Sequence, residues 1–364
     1  MRHNPDVGLG NVLTSAAGAL SIPGFTDDLG IGSSSCVVVC LVDGLGASSI
    51  EDHHELFPAL GDARGGSIWA PFPTTTSTGL VSLGTGLDSG LHGFVGAAFW
   101  LPESGEMLSP LRWGSTPSPF AVQPEPTVFE RAQDAGVASY SVGPKTYIHS
   151  GLTRAAFRGS QYLAAEAIDD RAAAVADIGR ASSLESPSLV YVYWPALDRA
   201  GHEFGVDSRQ WRAAATDVDD LITGLRHALP SDGRLLVTAD HGMIDTSSRL
   251  WIDDDHRLTI DVRAIAGEPR MRHVYTDAAE DVCHRWSSVL GERAHVLTRG
   301  AAIEAGLFGE VDPVITERIG EVIALPGEGI LLASHSFDEL VSSLPGQHGG
   351  LTDAERRVPA LILD

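Results

Sequence analysis

The chain has 364 residues, 43% of them hydrophobic, which suffices for one large α/β domain or two ordinary ones around a substantial core. Its 48 acidic against 25 basic side chains leave a formal charge of −23, which argues against a nucleic-acid polymer or an anionic membrane as partner. Small phosphorylated ligands stay open, because bound cations reverse the sign of the local field.

From the N-terminus, MRHNPDVGLGNVLTSAAGALSIPG lacks a continuous apolar core, and nowhere do the apolar residues approach a run of roughly 18. A soluble, cytoplasmic protein is expected. The run CVVVCLV (36 to 42) reads as a strand buried on both faces, with Cys36 and Cys40 packed as small hydrophobes. With Cys283 they form an odd, sparse set that implies no disulfide framework. Helices are expected over PTVFERAQDAG (126 to 136), the Ala-rich stretch from about Tyr162 to Arg180, and 208 to 229. In the last, Trp211, Ala214, Val218, Leu221, Ile222 and Leu225 recur at three- and four-residue intervals. SLVYVYW (188 to 194), RLLVTA (234 to 239) and VPALIL (358 to 363) are further strands. This alternation predicts an α/β sandwich with a mostly parallel central sheet. Residues 250 to 345, with short mixed segments and a DDD run, read as a subdomain embedded in one catalytic domain and covering one edge of the main sheet.

Several strands end in residues suited to metal chemistry. Asp43 follows CVVVCLV directly, at the carboxyl end of a strand, where open α/β sheets bind ligands; an ordinary Asp-Gly turn also fits it. PFPTTTSTGLVSLGTG (71 to 86) runs a hydroxyl cluster into a helix start that suits an attacked phosphate, or a simple Ser/Thr cap. In WPALDRAGHEFG, Asp198 and His202 share one face if the segment is helical. Asp240 and His241 are adjacent after LLVTA, so both serve one site only if the chain has turned out of the strand, which Gly242 permits. His348 lies between glycines in GQHGG. Together these groups are what a two-metal site needs, and His and Asp donors with no competing cysteine suit zinc.

In this order the segments closely resemble the alkaline phosphatase superfamily, specifically its nucleotide pyrophosphatase/phosphodiesterase branch. The resemblance spans Asp43 to His348 and implies an alkaline-phosphatase-like α/β/α fold. It implies one metal held by Asp198, His202 and His348, and a second held by Asp43, Thr76, Asp240 and His241. The metals would be two Zn2+, with Mn2+ or Fe as alternatives. In the branch's pattern of Pro, two residues, Thr, two residues, Asn and a closing Thr-Gly, Pro73, Thr76 and Thr85-Gly86 align, making Thr76 the nucleophile of a phosphothreonine mechanism. Gly79 replaces the branch's phosphate-binding asparagine, leaving Ser77, Thr78, Lys145, Arg154 and Arg270 as candidates to supply the contact.

The implied activity is phosphodiester or pyrophosphate hydrolysis on a small phosphorylated substrate, possibly a nucleotide. Phosphomonoester hydrolysis and phosphonate cleavage, as in the related phosphonoacetate hydrolases, are the alternatives on the same site. A sulfatase is not expected, since no Cys-x-Pro-x-Arg or Ser-x-Pro-x-Arg motif is present. A non-catalytic binder of phosphorylated ligands would show a decayed ligand set, and here every position carries its Asp or His.

Overall fold

The computed structural model describes residues 1–114 and 116–364. Eight strands form the main sheet: β1 (Arg2–Gly8), β2 (Cys36–Val42), β3 (Arg64–Trp69), β4 (Ala138–Gly143), β5 (Gln161–Ala164), β6 (Ser188–Trp194), β7 (Arg234–Thr238) and β8 (Arg357–Leu363). Their spatial order is β1-β3-β8-β7-β2-β6-β4-β5. Only β8 runs antiparallel to its neighbours; every other pairing is parallel. All seven residues of β2 are buried, which explains its unbroken apolar composition: both faces are covered.

One helix group packs together α1 (Gly10–Ala19), α2 (Thr76–Thr85), α3 (Val128–Asp134) and α4 (Gly151–Ala156). A second comprises α5 (Ile168–Ala181), α6 (Ala196–Phe204) and α7 (Arg209–Ala228). Helix α7 buries the expected stripe, from Trp211 to Leu225, and starts where the Ser208 side chain accepts a hydrogen bond from Trp211 N–H. The stretch expected to be helical from Tyr162 departs from expectation. Residues 161–164 pair in parallel with β4 as an edge strand, the Tyr162 hydroxyl donates to Pro144 O at 2.8 Å, and the helix starts only at Ile168. Asp170 fixes that start by accepting from Ala167 N–H.

Between residues 264 and 326 the chain forms a separate four-stranded antiparallel sheet. One face shares a small apolar core with Trp286, Leu290 and Ile252. The assembly docks on the segments either side of α2: Phe308 meets Phe72 edge-on before the helix, and after it Ala97 N–H donates to Glu268 and His273 contacts Val95 O at 2.8 Å. Among the described residues, no helix is long and apolar enough to cross a membrane.

Candidate metal centre

Strands β7, β2 and β6 are adjacent and parallel, so their carboxyl ends open on the same edge of the sheet. Asp43 is the first residue after β2, Asp198 lies in the helix after β6, and Asp240 is two residues beyond β7. Strand β3 delivers Thr76 to that edge, and β8, running the other way, is preceded there by His348. Topology thus gathers residues more than 300 positions apart in sequence into one site. A tight turn after Asp43 helps: Gly44 has φ +74 and its Cα faces Asp198, so a Cβ there would lie 3.0 Å from the Asp198 Cα.

Two groups form. Asp198 Oδ1 lies 3.5 Å from His202 Nε2 and 3.8 Å from His348 Nε2, and the two imidazole nitrogens are 3.1 Å apart. His241 Nε2 lies 3.4 Å from Asp43 Oδ1, 3.5 Å from Asp240 Oδ2 and 3.2 Å from Thr76 Oγ1. His241 also stacks on His348 with ring centroids 3.6 Å apart, so it comes within ligand reach of both groups. Its Nε2 points at Asp43 and Asp240, and His202 stands with Asp198 and His348 in the other group.

The hydrogen bonding fixes what these groups offer. Each histidine turns Nδ1 to a backbone carbonyl: His202 to Gly346 at 2.8 Å, His241 to Gly242 at 3.0 Å and His348 to Thr74 at 2.8 Å. Nδ1 is then the protonated nitrogen, and each Nε2 presents a lone pair to the site. Lone pairs of His202 and His348 facing each other at 3.1 Å repel unless a cation lies between them. Asp43 Oδ1, Asp198 Oδ1 and Asp240 Oδ2 are likewise buried without a hydrogen-bond partner. Burial, then the charges of Asp240 and Asp198, pushes Asp43 well above the usual carboxylate range. Asp240 is raised mainly by burial, against the attraction of His241. Burial, then His241 and His202, holds His348 well below the usual imidazole value. This donor set fits divalent metal ions, which would satisfy the orphaned oxygens and lone pairs at once.

Among the rival hydroxyls, Thr74 donates to Gly350 O, Ser77 to Gly96 O and Thr78 to Phe94 O, each at 2.9 Å. Thr75 is the N-cap residue of α2. Thr76 begins the helix, and since His241 Nε2 is an acceptor, the Thr76 hydroxyl donates to it. First-turn N–H groups without intrahelical acceptors flank Thr76.

The expected substitutes for the asparagine are otherwise occupied. Ser77 and Thr78 are engaged as above, and Arg270 is buried in a two-pronged pair with Glu355, with Nη1 donating to Gly327 O and Ile330 O. Lys145 and Arg154 do not line the recess at Thr76. Gly79 does not border a space that an asparagine could use: an added Cβ would lie 2.6 Å from Asp240 Cβ. Sequence reasoning missed Glu355, which accepts Gly350 N–H at 2.8 Å and steadies the His348 loop. It also missed a recess beside Thr76, lined by Tyr147, Tyr162, Tyr191, Tyr193, Phe157 and Leu111 among others, without a charged residue among the described lining residues. The period-two spacing of Tyr191 and Tyr193, which puts both on one face of β6, was the available signal.

A buried Asp/His site at the carboxyl edge of such a sheet, with a hydroxyl poised beside it, defines a metal-dependent phosphoester hydrolase of the alkaline phosphatase superfamily. Residues 37–350 match the profile of type I phosphodiesterase/nucleotide pyrophosphatase, and the chain belongs to that family of phosphoric ester hydrolases. Its fold is similar to murine ectonucleotide pyrophosphatase/phosphodiesterase 5, at 19% identity and TM-score 0.72, covering 90% of this chain and 87% of that one. An inactive threonine-to-alanine variant of that murine protein, solved with AMP, aligns at TM-score 0.70 and 19% identity, covering 90% of this chain and 87% of that one. Phosphonoacetate hydrolase from Sinorhizobium meliloti, solved with phosphonoformate, aligns at 18% identity and TM-score 0.69, covering 90% of each chain.

Proposed function

We propose that this chain hydrolyses phosphodiester or pyrophosphate bonds through a phosphothreonine at Thr76, at a site for two zinc ions. The observation that carries this reading is the buried Thr76 hydroxyl, 3.2 Å from His241 Nε2 and flanked by the two Asp/His groups. Asp198, His202 and His348 would hold one ion; Asp43, Asp240, His241 and Thr76 the other. Such ions lower the pKa of a coordinated hydroxyl or water and neutralise phosphoryl charge. Thr76 Oγ1 attacks phosphorus, forming the P–O bond to threonine as the bond to the departing oxygen breaks. The first-turn N–H groups of α2 face the oxygens that gather charge. Water then attacks the phosphothreonine, releasing the phosphoryl product and restoring the hydroxyl. We place residues 250 to 345 in the same catalytic domain as an embedded subdomain.

The tyrosine-lined recess suits an uncharged aryl or nucleoside group. A phosphonoacetate carboxylate would have no cationic partner among its described lining residues, which favours an organic phosphodiester. Parallel assays with a bis-aryl phosphate, an aryl monophosphate and phosphonoacetate test this order. Thr76→Ala should abolish turnover of the diester while the metal content stays at the wild-type level; a wild-type rate in that variant rules out the assignment.

A further inference from the structure

We propose that the cavity at the carboxyl ends of β1 and β3 is a second binding site, for a small phosphomonoester with a hydroxylated body. Its volume is about 370 Å³, enough for such a ligand. Strands β1 and β3 run in the same direction as β7 and β2, so the cavity opens on the sheet edge where α/β proteins bind ligands. It shares no residue with the Asp/His groups. Two opposite charges line it without pairing. Arg356, the residue before β8, lies over the Trp69 ring at 4.8 Å; among the described residues its guanidinium has no hydrogen bond or ion pair, and its Nε is buried without a partner. The Asp88 carboxylate caps no helix N–H, and an added Cβ at Gly309 would overlap it, so loop backbone closes over that end. A partly buried guanidinium left unpaired is costly, and with an unpaired carboxylate in the same cavity it marks a site for a ligand with two unlike ends.

Besides Arg356, the lining includes Gly10 and Asn11, whose first-turn N–H groups in α1 lack intrahelical acceptors, and Leu9 before them offers no side-chain cap. Guanidinium and helix start together select a phosphoryl group. Asp88, and the exposed Asp6 that also lines the cavity, are acceptors and select hydroxyl donors on the rest of the ligand. Ser82 adds a donor. His92 Nδ1 accepts from Phe94 N–H at 3.1 Å, so its Nε2 carries the hydrogen and donates to Ser82 Oγ at 2.8 Å. The Ser82 hydrogen is left for a ligand, while His92 has no lone pair with which to act as its base, so the cavity binds and does not turn over. Phe72, Ser82 and Gly86 all line it, so an occupant touches both ends of the segment that carries Thr76, as an effector would.

The test titrates ribose 5-phosphate and inorganic phosphate into the full chain, zinc-loaded and after chelation, by calorimetry. The cavity needs no metal, whereas Asp/His groups without cations repel phosphate, so a single class of ribose 5-phosphate site should remain after chelation. Arg356→Met keeps an apolar stem over Trp69 and should weaken that binding by about tenfold or more, as for a hydrogen bond between charged groups, with Tm held because no described pairing is lost. Asn11→Asp keeps the acceptor for Gly8 N–H but sets a negative charge at the first turn of α1. It should weaken binding by about as much while the helix itself is favoured, which separates loss of the site from loss of the fold. Asp88→Ala should weaken ribose 5-phosphate but not inorganic phosphate, which has no sugar to reach it. No ribose 5-phosphate bound by the chelated wild type, or wild-type affinity in both Arg356→Met and Asn11→Asp, overturns the proposal. Wild-type affinity for ribose 5-phosphate in Asp88→Ala overturns the hydroxylated end. None of these readouts depends on diester turnover, so this site and the hydrolase reading fail separately.

Discussion

Replacing Gly79 by alanine sets two opposing effects against each other inside α2. Alanine is favoured over glycine in a helix interior by about 0.8 to 1.0 kcal/mol. Against this, the new Cβ would lie 2.6 Å from Asp240 Cβ, 3.0 Å from its carbonyl oxygen and 3.1 Å from its Cα. None of these is a flexible tip, so helix or strand end must shift, at an overpacking cost of about 1 to 3 kcal/mol. The clash therefore outweighs the propensity gain, for a net loss of up to about 2 kcal/mol. With an unfolding entropy of roughly 2.1 cal/mol/K per residue, that lowers Tm by only about 3 °C or less in a chain of 364 residues. The larger effect is expected on the metal, because the residue displaced, Asp240, is a proposed ligand: affinity should drop about 10- to 100-fold, by analogy with disturbed supporting residues of metal sites. A chelator titration with a zinc indicator reads the affinity, and melts with and without chelator read the stability. Gly79→Asn, which restores the branch's side chain, should lose metal more severely and gain no phosphate affinity. An alanine variant that melts above wild type and resists chelator equally would refute the close contact with Asp240.

Other consequences follow from the same packing. Arg270→Met leaves Glu355 charged, buried and unpaired, so it should cost about 3 to 5 kcal/mol and loosen the His348 loop, seen as a lower Tm and faster amide exchange at Gly349 and Gly350. On the proposed two-ion site, His202→Ala should leave one metal per chain instead of two, counted by native mass spectrometry. For pH, the raised Asp43 carboxyl binds its proton more tightly folded than unfolded. Asp43 should therefore contribute stability to the metal-free protein as pH falls through that raised value, opposed by His348, whose depressed imidazole favours the unfolded chain in acid, while the metal-loaded protein loses stability as protons displace the ions. Metal-free melts of wild type and Asp43→Asn compared across acidic pH isolate this contribution: the variant should lose it and keep those of Asp240 and His348.

Much of the fold was legible because its central strands are buried on both faces. Residues 36 to 42 and 188 to 194 form strands with the expected bounds, since no solvent face interrupts their apolar runs. Outer strands are less legible: RHNPDVG and RGGSIW carry too few apolar residues to announce pairing, and sheet neighbours decide them. The same applies at 161 to 164, where an edge pairing overrides the helical texture that follows. The expected Asp and His positions do come together in space, because strand ends and the segments that follow or precede them meet at one edge of the sheet. The choice of Thr76 rested on spacing within a motif, and three dimensions supply the physical distinction: Thr74, Ser77 and Thr78 turn to carbonyls while Thr76 turns to His241. The tyrosine recess was not legible as a whole, because its rings come from residues 147 to 162 and from β6, and look like core in each.

The most direct test of the account is anomalous diffraction at the zinc edge from crystals of the zinc-loaded protein. Two peaks are predicted, one among Asp198, His202 and His348 and the other among Asp43, Asp240, His241 and the Thr76 hydroxyl. A single peak, or peaks away from Thr76, would contradict a two-metal site built around that nucleophile.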